Sequence, residues 1–287
     1  MTSTRRPQRY ERARLGVERW QRFERGLFDG LALGFLDDVT LDEIDANYYN
    51  RSQQYHQHEF NLGGLRSWET HLARNHLPSP SDVVVIGAGG GREVLGLSRL
   101  GHNVTGFECN ERLVEAGTLL LADHGKGASL AAMERSRLPT LDSQVDVIWI
   151  GWGVYSLVRT QTQRIALLTE SAAATGCRGS TVMSFLLRDD SAGYFGVVHA
   201  VSSAVRKLRR RPSTSRGDCL EPNFIHAFTI DEVGFECEAA GMDIASWSFA
   251  NDPAGPYAWV VARPGAARKQ EKSDRTRALP ARGNHDH

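Results

Sequence analysis

Cysteine is scarce and scattered. Cys109, Cys177, Cys219 and Cys237 are spread over 287 residues, with no C-x-x-C pair and no histidine cluster beside them. That excludes a disulfide framework or a structural zinc site and suits a reducing compartment. Net charge is missing as well, since 34 Lys+Arg balance 34 Asp+Glu. A chain that coats nucleic acid or an anionic membrane carries an excess of cations, so any such role is confined to a local patch. No apolar run approaches the roughly 20 residues that span a bilayer. The start, Met1-Thr2-Ser3-Thr4-Arg5-Arg6-Pro7, has no apolar segment behind its arginines, so no secretory signal is expected and the protein reads as cytoplasmic. Internal repeats are lacking too. What is present is an ordinary globular balance, 41% hydrophobic and 24% charged, long enough for one large domain with an appendage.

The patterning changes along the chain. Residues 1–80 read as a polar, helical N-terminal extension. Thr40-Leu41-Asp42-Glu43 has the form of a capping box, and Leu65, Trp68, Leu72 and Leu77 fall near helical spacing. Pro78-Ser79-Pro80-Ser81 then breaks the chain. Over residues 81–264 short apolar runs alternate with helical stretches. Strands are predicted over 83–86, 104–107, 145–150, 181–187, 244–249 and 259–261, with a weaker one over 128–133. Helices are predicted over 93–100, 111–123, 163–174 and 229–240, the last opened by the capping box Thr229-Ile230-Asp231-Glu232. Gly101, Gly125, Gly176 and Gly241 follow these helices where a left-handed residue closes them. The alternation implies an α/β protein, with parallel strands in a doubly wound sheet covered on both faces. The last two strands form an antiparallel hairpin around 251–255. Residues 188–228 read as an insertion that serves the substrate or a lid. Residues 265–287, rich in Arg, Lys, Ala and Gly, read as a disordered tail.

The informative segment is Val83-Val84-Val85-Ile86-Gly87-Ala88-Gly89-Gly90-Gly91-Arg92-Glu93. A buried strand enters a glycine turn and then a helix, where a Cβ would block positive φ and keep the backbone from a ligand. Such a turn is either steric punctuation or a cradle for an anionic or strongly accepting group at a helix N-terminus. The next strand ends at Glu108, about 20 residues beyond the glycines, where an acid accepts the ribose hydroxyls of a nucleoside. The dinucleotide fingerprint G-x-G-x-x-G begun at Gly87 needs glycine at position 92, which is Arg92. That counts against a nicotinamide oxidoreductase.

With Gly87, Gly89 and Gly91 in G-x-G-x-G spacing and Glu108 after them, the chain resembles the class I S-adenosylmethionine-dependent methyltransferases over residues 82–263. The resemblance implies a seven-stranded, mostly parallel Rossmann-like methyltransferase sheet with S-adenosyl-L-methionine as cofactor. It implies a site of Gly87, Ala88, Gly89 and Gly91, with Glu108 on the ribose. It further implies Glu134 on the adenine amino group with Arg135 beside it, ahead of Leu138-Pro139, and Gly151 and Trp152 where the chain turns past the cofactor. The chain departs from the family at Val85, where many members carry an acid near the cofactor's amino group. Recognition of the methionine end then falls to backbone and to the N-terminal helices. Residues 48–64, with Tyr55 and Asn61, either close over the cofactor or pack structurally.

Methyl transfer is an in-line displacement in which positioning supplies much of the catalysis, and a hydroxyl acceptor also needs a base. His226, Tyr155 and His199 are the candidate bases, His199 reading equally as a packing residue. Gly151-Trp152-Gly153-Val154-Tyr155 stands where adenine- and amide-methylating relatives carry Asn/Asp-Pro-Pro-aromatic, which disfavours those acceptors. Asp189-Asp190 reads as a helix N-cap rather than a metal site, so no metal is expected. The run 206–216 places six cations in eleven positions. It is either a solvated loop or a strip for phosphate, RNA or an anionic small molecule, without aromatics to stack bases. The expected function is methyl transfer to a small molecule, such as a metabolite, natural-product intermediate or saccharide. The alternatives are an RNA-modifying methyltransferase using 206–216 and a non-catalytic S-adenosylmethionine-binding module.

Overall fold

A computed structural model describes residues 5–190 and 193–265. The chain opens with α1 (Arg5–Phe35), α2 (Asp38–Arg51), the short α3 (Gln53–His56) and α4 (His58–Leu62), and α5 (Ser67–His76). Alternation then begins with β1 (Asp82–Ile86), α6 (Arg92–Arg99), β2 (Asn103–Glu108), α7 (Glu111–His124) and β3 (Ala128–Ala132). It continues through β4 (Val147–Ile150), α8 (Gln161–Thr175) and β5 (Ser180–Leu186). Next come α9 (Tyr194–Leu208), a small hairpin of β6 (Asp218–Leu220) and β7 (Phe224–His226), α10 (Ile230–Ala239), β8 (Met242–Ala250) and β9 (Tyr257–Pro264).

Seven strands form one sheet in the order β3-β2-β1-β4-β5-β9-β8. The first five run parallel, and β9 is antiparallel to both β5 and β8. The order reverses between β1 and β4, which opens a crevice at the carboxyl ends of those strands. The period of two in the apolar runs decides which helices cover which face. Val83, Val85, Val147 and Trp149 point into a core shared with α5, α6 and α7. Val84, Ile86, Ile148 and Ile150 point into the opposite core, against α8 and α10. Each such side chain, fully buried, contributes about 1.5–3 kcal/mol. Strand β3 lies at the sheet edge with most of its side chains exposed, which explains its thin apolar signal.

Local signals hold where one residue decides the geometry. Thr229 and Glu232 cap α10 reciprocally. Thr40 does not open a helix: Asp37 caps α2 by accepting the Thr40 N–H at 2.9 Å, so the helix starts two residues before Thr40. Gly101, Gly176 and Gly241 have positive φ, but Gly125 lies at −100° and Gly127 takes the left-handed position instead. The insertion 188–228 is largely ordered structure, since α9 packs along α1 in parallel. A Cβ on Gly30 or Gly34 would stand 2.8 or 2.5 Å from the Cβ of Val201 or Val205, so glycine sets how closely these helices approach.

The basic run serves this same junction. Arg206 donates to the Leu33 carbonyl at 3.3 Å, and Arg211 donates to those of Phe35 and Leu36 at 3.2 Å each. These are the orphan carbonyls at the end of α1, where the helix dipole favours cations. Asp190 pairs with Arg188 and Arg216 rather than capping α9, whose N-cap is Gly193. The tail expected to be disordered lies, from residue 266 on, outside the described residues. Among the described residues no helix is long and apolar enough to cross a membrane.

Candidate functional site

The glycine turn after β1 forms the floor of a deep cleft. Gly87, Gly89 and Gly91 adopt φ of 70°, 53° and 88°. The Gly87 and Ala88 amides donate to the Phe107 carbonyl at 2.8 and 2.9 Å, which ties the turn to the end of β2. A Cβ on Gly87 would collide with Val154, and one on Gly151 would stand 2.6 Å from the Gly87 carbonyl. The exits of β1 and β4 therefore touch backbone to backbone. Glu108 closes the next side, 7% exposed, with one carboxylate oxygen accepting the Gly89 N–H at 2.8 Å and the other the Asn110 N–H at 2.9 Å. Two fixed amides thus orient this carboxylate, and each oxygen keeps lone-pair capacity for a further donor.

The roof comes from the N-terminal helices. Asp45 and Tyr49 of α2, Tyr55 of α3, and Phe60 and Asn61 of α4 all line the cleft. Asn61 donates to the Tyr55 carbonyl at 2.8 Å, and a Cβ on Gly90 would run into both residues, so the glycine turn lets the roof sit directly on it. Asp45 is bonded by Arg135 and by Asn223, and Asp42 pairs with Arg159 at 2.7 Å. These pairs pin α2 to the loops following β3 and β4. The cleft holds about 990 Å³ of space, its open mouth included. Leu113, Met133, Val154, Leu157 and Val158 supply the apolar part of its wall.

One wall carries a buried charge cluster. Glu93, in the first turn of α6, accepts the Trp149 indole N–H at 3.0 Å and the Trp152 amide at 2.9 Å. Burial pushes its carboxyl up to about 7, against the opposing pull of Arg92. Arg92 itself is clamped by both oxygens of Glu69, at 2.6 and 2.8 Å. Trp152 lines the cleft with the Arg66 guanidinium 3.9 Å above its ring, and its indole N–H is buried without a protein partner. Burial also raises the Tyr55 phenol to about 12 and the Cys109 thiol to about 12.

Of the site residues expected from sequence, Gly87, Ala88, Gly89, Glu108, Arg135 and Trp152 line the cleft, while Gly91 and Gly151 shape its backbone from behind. Glu134 does not line it. Its side chain is 82% exposed and pairs with Arg137 at 3.6 Å. The extended chain after β3 explains this by alternation: Met133 and Arg135 face the cleft, so Glu134 faces out.

The three candidate bases lie elsewhere. Tyr155 is fully buried, stacks on Phe228 and donates to Glu236 at 2.5 Å, and burial holds its phenol well above the usual range. His226 is buried in the β6–β7 hairpin with Nδ1 2.6 Å from Asp218 and its ring against Phe228. His199 sits on α9 beside Ser203 and Thr214 at 3.4 Å. None of the three lines the cleft. Sequence reasoning missed Glu93 and Asp45. Glu93 had a signal, an acid followed by an apolar run in a helix that packs on the sheet; Asp45 had none in its local pattern.

No family model matches the sequence, and no curated protein matches it. Solved structures match through the backbone. The 1,6-didemethyltoxoflavin N1-methyltransferase of Burkholderia thailandensis, solved with 1,6-didemethyltoxoflavin and S-adenosylhomocysteine bound, is 16% identical with a TM-score of 0.57, over 80% of this chain and 92% of that one. The CcbJ methyltransferase of Streptomyces caelestis is 15% identical with a TM-score of 0.53, over 72% and 92%. The glycopeptide N-methyltransferase MtfA, complexed with S-adenosylmethionine, is 17% identical with a TM-score of 0.51, over 69% and 87%. At these identities the likeness is one of fold: this chain has the Rossmann-like fold of the class I S-adenosylmethionine-dependent methyltransferases.

Proposed function

We propose that this chain is a cytoplasmic S-adenosylmethionine-dependent methyltransferase acting on a small-molecule acceptor. The observation that carries the reading is Glu108, a carboxylate on the cleft wall beside the glycine turn with both oxygens fixed by backbone amides. That is the chemistry a vicinal ribose diol requires. The glycine turn leaves room for close approach, the Leu113–Met133 side offers an apolar surface for a flat base, and Glu93 gives the cleft a carboxyl suited to a cationic ligand. Glu134 has no part in this assignment.

When bound, S-adenosylmethionine supplies an electrophilic methyl group on a sulfonium. The chain's own contribution is to bind, orient and shelter. Glu108 holds the sugar, the roof of α2–α4 excludes water, and the fixed wall leaves the acceptor one line of approach. Tyr155, His199 and His226 are all engaged away from the cleft, which favours an acceptor that needs no strong base, such as an amine or a thiol. Small-molecule acceptors agree with the toxoflavin-type enzyme of the same fold. The arginines of 206–216 that grip the end of α1 leave the RNA reading with little support.

The test is equilibrium titration with S-adenosylmethionine and, separately, NAD. Binding of the first and not the second is expected; the reverse would overturn the assignment. A non-catalytic S-adenosylmethionine-binding module is the second reading, favoured by the same distant placement of the three bases. Single turnover with methyl-labelled cofactor and a small-metabolite extract separates the two, since a module binds but transfers no label.

A further inference from the structure

Helix α1 is longer than the body needs. Its second half packs on α9 through Gly26, Gly30 and Gly34, but from Tyr10 to Arg25 every side chain is exposed except the half-buried Glu18. That free stretch of 16 residues runs about 24 Å at 1.5 Å per residue. A helix of that length is marginal in water without a packing partner. Its sequence is not that of a solvated arm. Nine large apolar side chains of α1 are exposed, among them Trp20 at 59% and Phe28 at 72%. Val17, Trp20, Leu27, Leu31 and Phe35 recur at helical spacing and form one broad band.

We propose that this band is the interface with a second copy of the chain, so that two molecules associate through their α1 helices. The area decides for a copy. Tyr10 and Phe28 fall on the same face as this band while Leu15 and Phe23 do not, so seven exposed groups, each about 100 Å² at roughly half exposure, present on the order of 700 Å². That exceeds the largest apolar patch of a typical monomer, about 300–600 Å². Matched by the same band on a second molecule, it buries about 1,400 Å² in total, within the range of stable dimers. The charges agree. Between Tyr10 and Arg25, five arginines accompany three carboxylates, a rim on which an identical helix finds partners of both signs. An anionic membrane would instead select a strongly cationic polar face.

The test is sedimentation velocity on the full chain from about 1 to 100 μM, together with the double variant Trp20→Glu/Phe28→Glu. Both positions are exposed, so the charges meet no core. Wild type is expected at twice the 31.8 kDa of the chain. The variant is expected at single-chain mass, with a dimer dissociation constant raised at least 100-fold and an unchanged cooperative melt of the sheet. As a second measurement, Gln21→Cys is expected to give a covalent dimer on oxidation that reductant reverses. Three results would overturn the proposal: a wild-type monomer throughout the range, a variant that remains dimeric, or a monomer that co-sediments with phosphatidylserine vesicles through α1.

Discussion

Substituting Glu108 by alanine removes the group on which the nucleoside assignment turns, and the structure sets the size of the effect. The carboxylate is nearly buried and already accepts two backbone N–H groups, so it is orientated before any ligand arrives. A hydrogen bond to a charged acceptor contributes about 1.5–3 kcal/mol. Two ribose hydroxyls, taken at the low end because water fills the vacated space, contribute about 3 kcal/mol, or about two orders of magnitude in Kd. The ligand-free protein also loses stability, about 1–3 kcal/mol for each of the Gly89 and Asn110 amides left unpaired, which a domain of this size survives. Calorimetric titration with S-adenosylhomocysteine and with its 2′-deoxy analogue, on wild type and variant, isolates the contact as a double-mutant cycle. Wild type should discriminate between the two ligands and Glu108→Ala should not. A variant that stays folded and binds within threefold of wild type, or one that loses both ligands equally, refutes the placement of the sugar on Glu108.

Other expectations follow from the charged groups around the cleft. Burial raises the folded-state Glu93 carboxyl to about 7, so the stability it contributes is fully present below the ordinary glutamate range and is lost as pH rises toward 7. A shift of that size corresponds to about 3 kcal/mol; urea unfolding at pH 5 and pH 8 should show Glu93→Gln gaining on wild type by an amount of that order, and a constant difference would remove the titration from Glu93. Over the same window the affinity for cationic S-adenosylmethionine should rise with pH in wild type, as the carboxyl ionises, and stay flat in Glu93→Gln. Tyr155→Phe should cost about 1–2 kcal/mol, because Glu236 keeps its bonds from Arg164, and should leave cofactor binding and transfer intact; selective loss of transfer would restore Tyr155 as a base. Arg135→Ala should free α2 from the loop after β3, weaken cofactor binding about tenfold and speed amide exchange in α2–α4; unchanged exchange would mean the ion pair does not hold the roof.

What could be read from the sequence is what a few adjacent residues decide by themselves. The alternation of buried β1 and β4 runs with helices gave the sheet, because side-chain period and strand burial are local properties. The glycine turn and Glu108 could be placed because close backbone approach and the strand end fix their positions within a few residues of the motif. Glu134 lies outside the cleft because its placement depends on which way an extended chain faces after β3, and a shift of one residue reverses it. The candidate bases lie away from the cleft for a related reason. A histidine or tyrosine near the right strand is a base only if its side chain turns toward the cleft, and Phe228, Asp218 and Glu236, distant in sequence, turn Tyr155 and His226 inward. The basic run shows the same limit from the opposite side. Six cations in eleven positions read as a binding strip, yet three of them satisfy the carbonyl end of α1 or the Asp190 carboxylate, more than 20 residues away. Charge identity is local, but charge satisfaction is tertiary. For a chain that shares its fold with solved structures at so little sequence identity, the positions legible in the sequence are then those, like Glu108, whose partners are backbone amides of the glycine turn and the strand end.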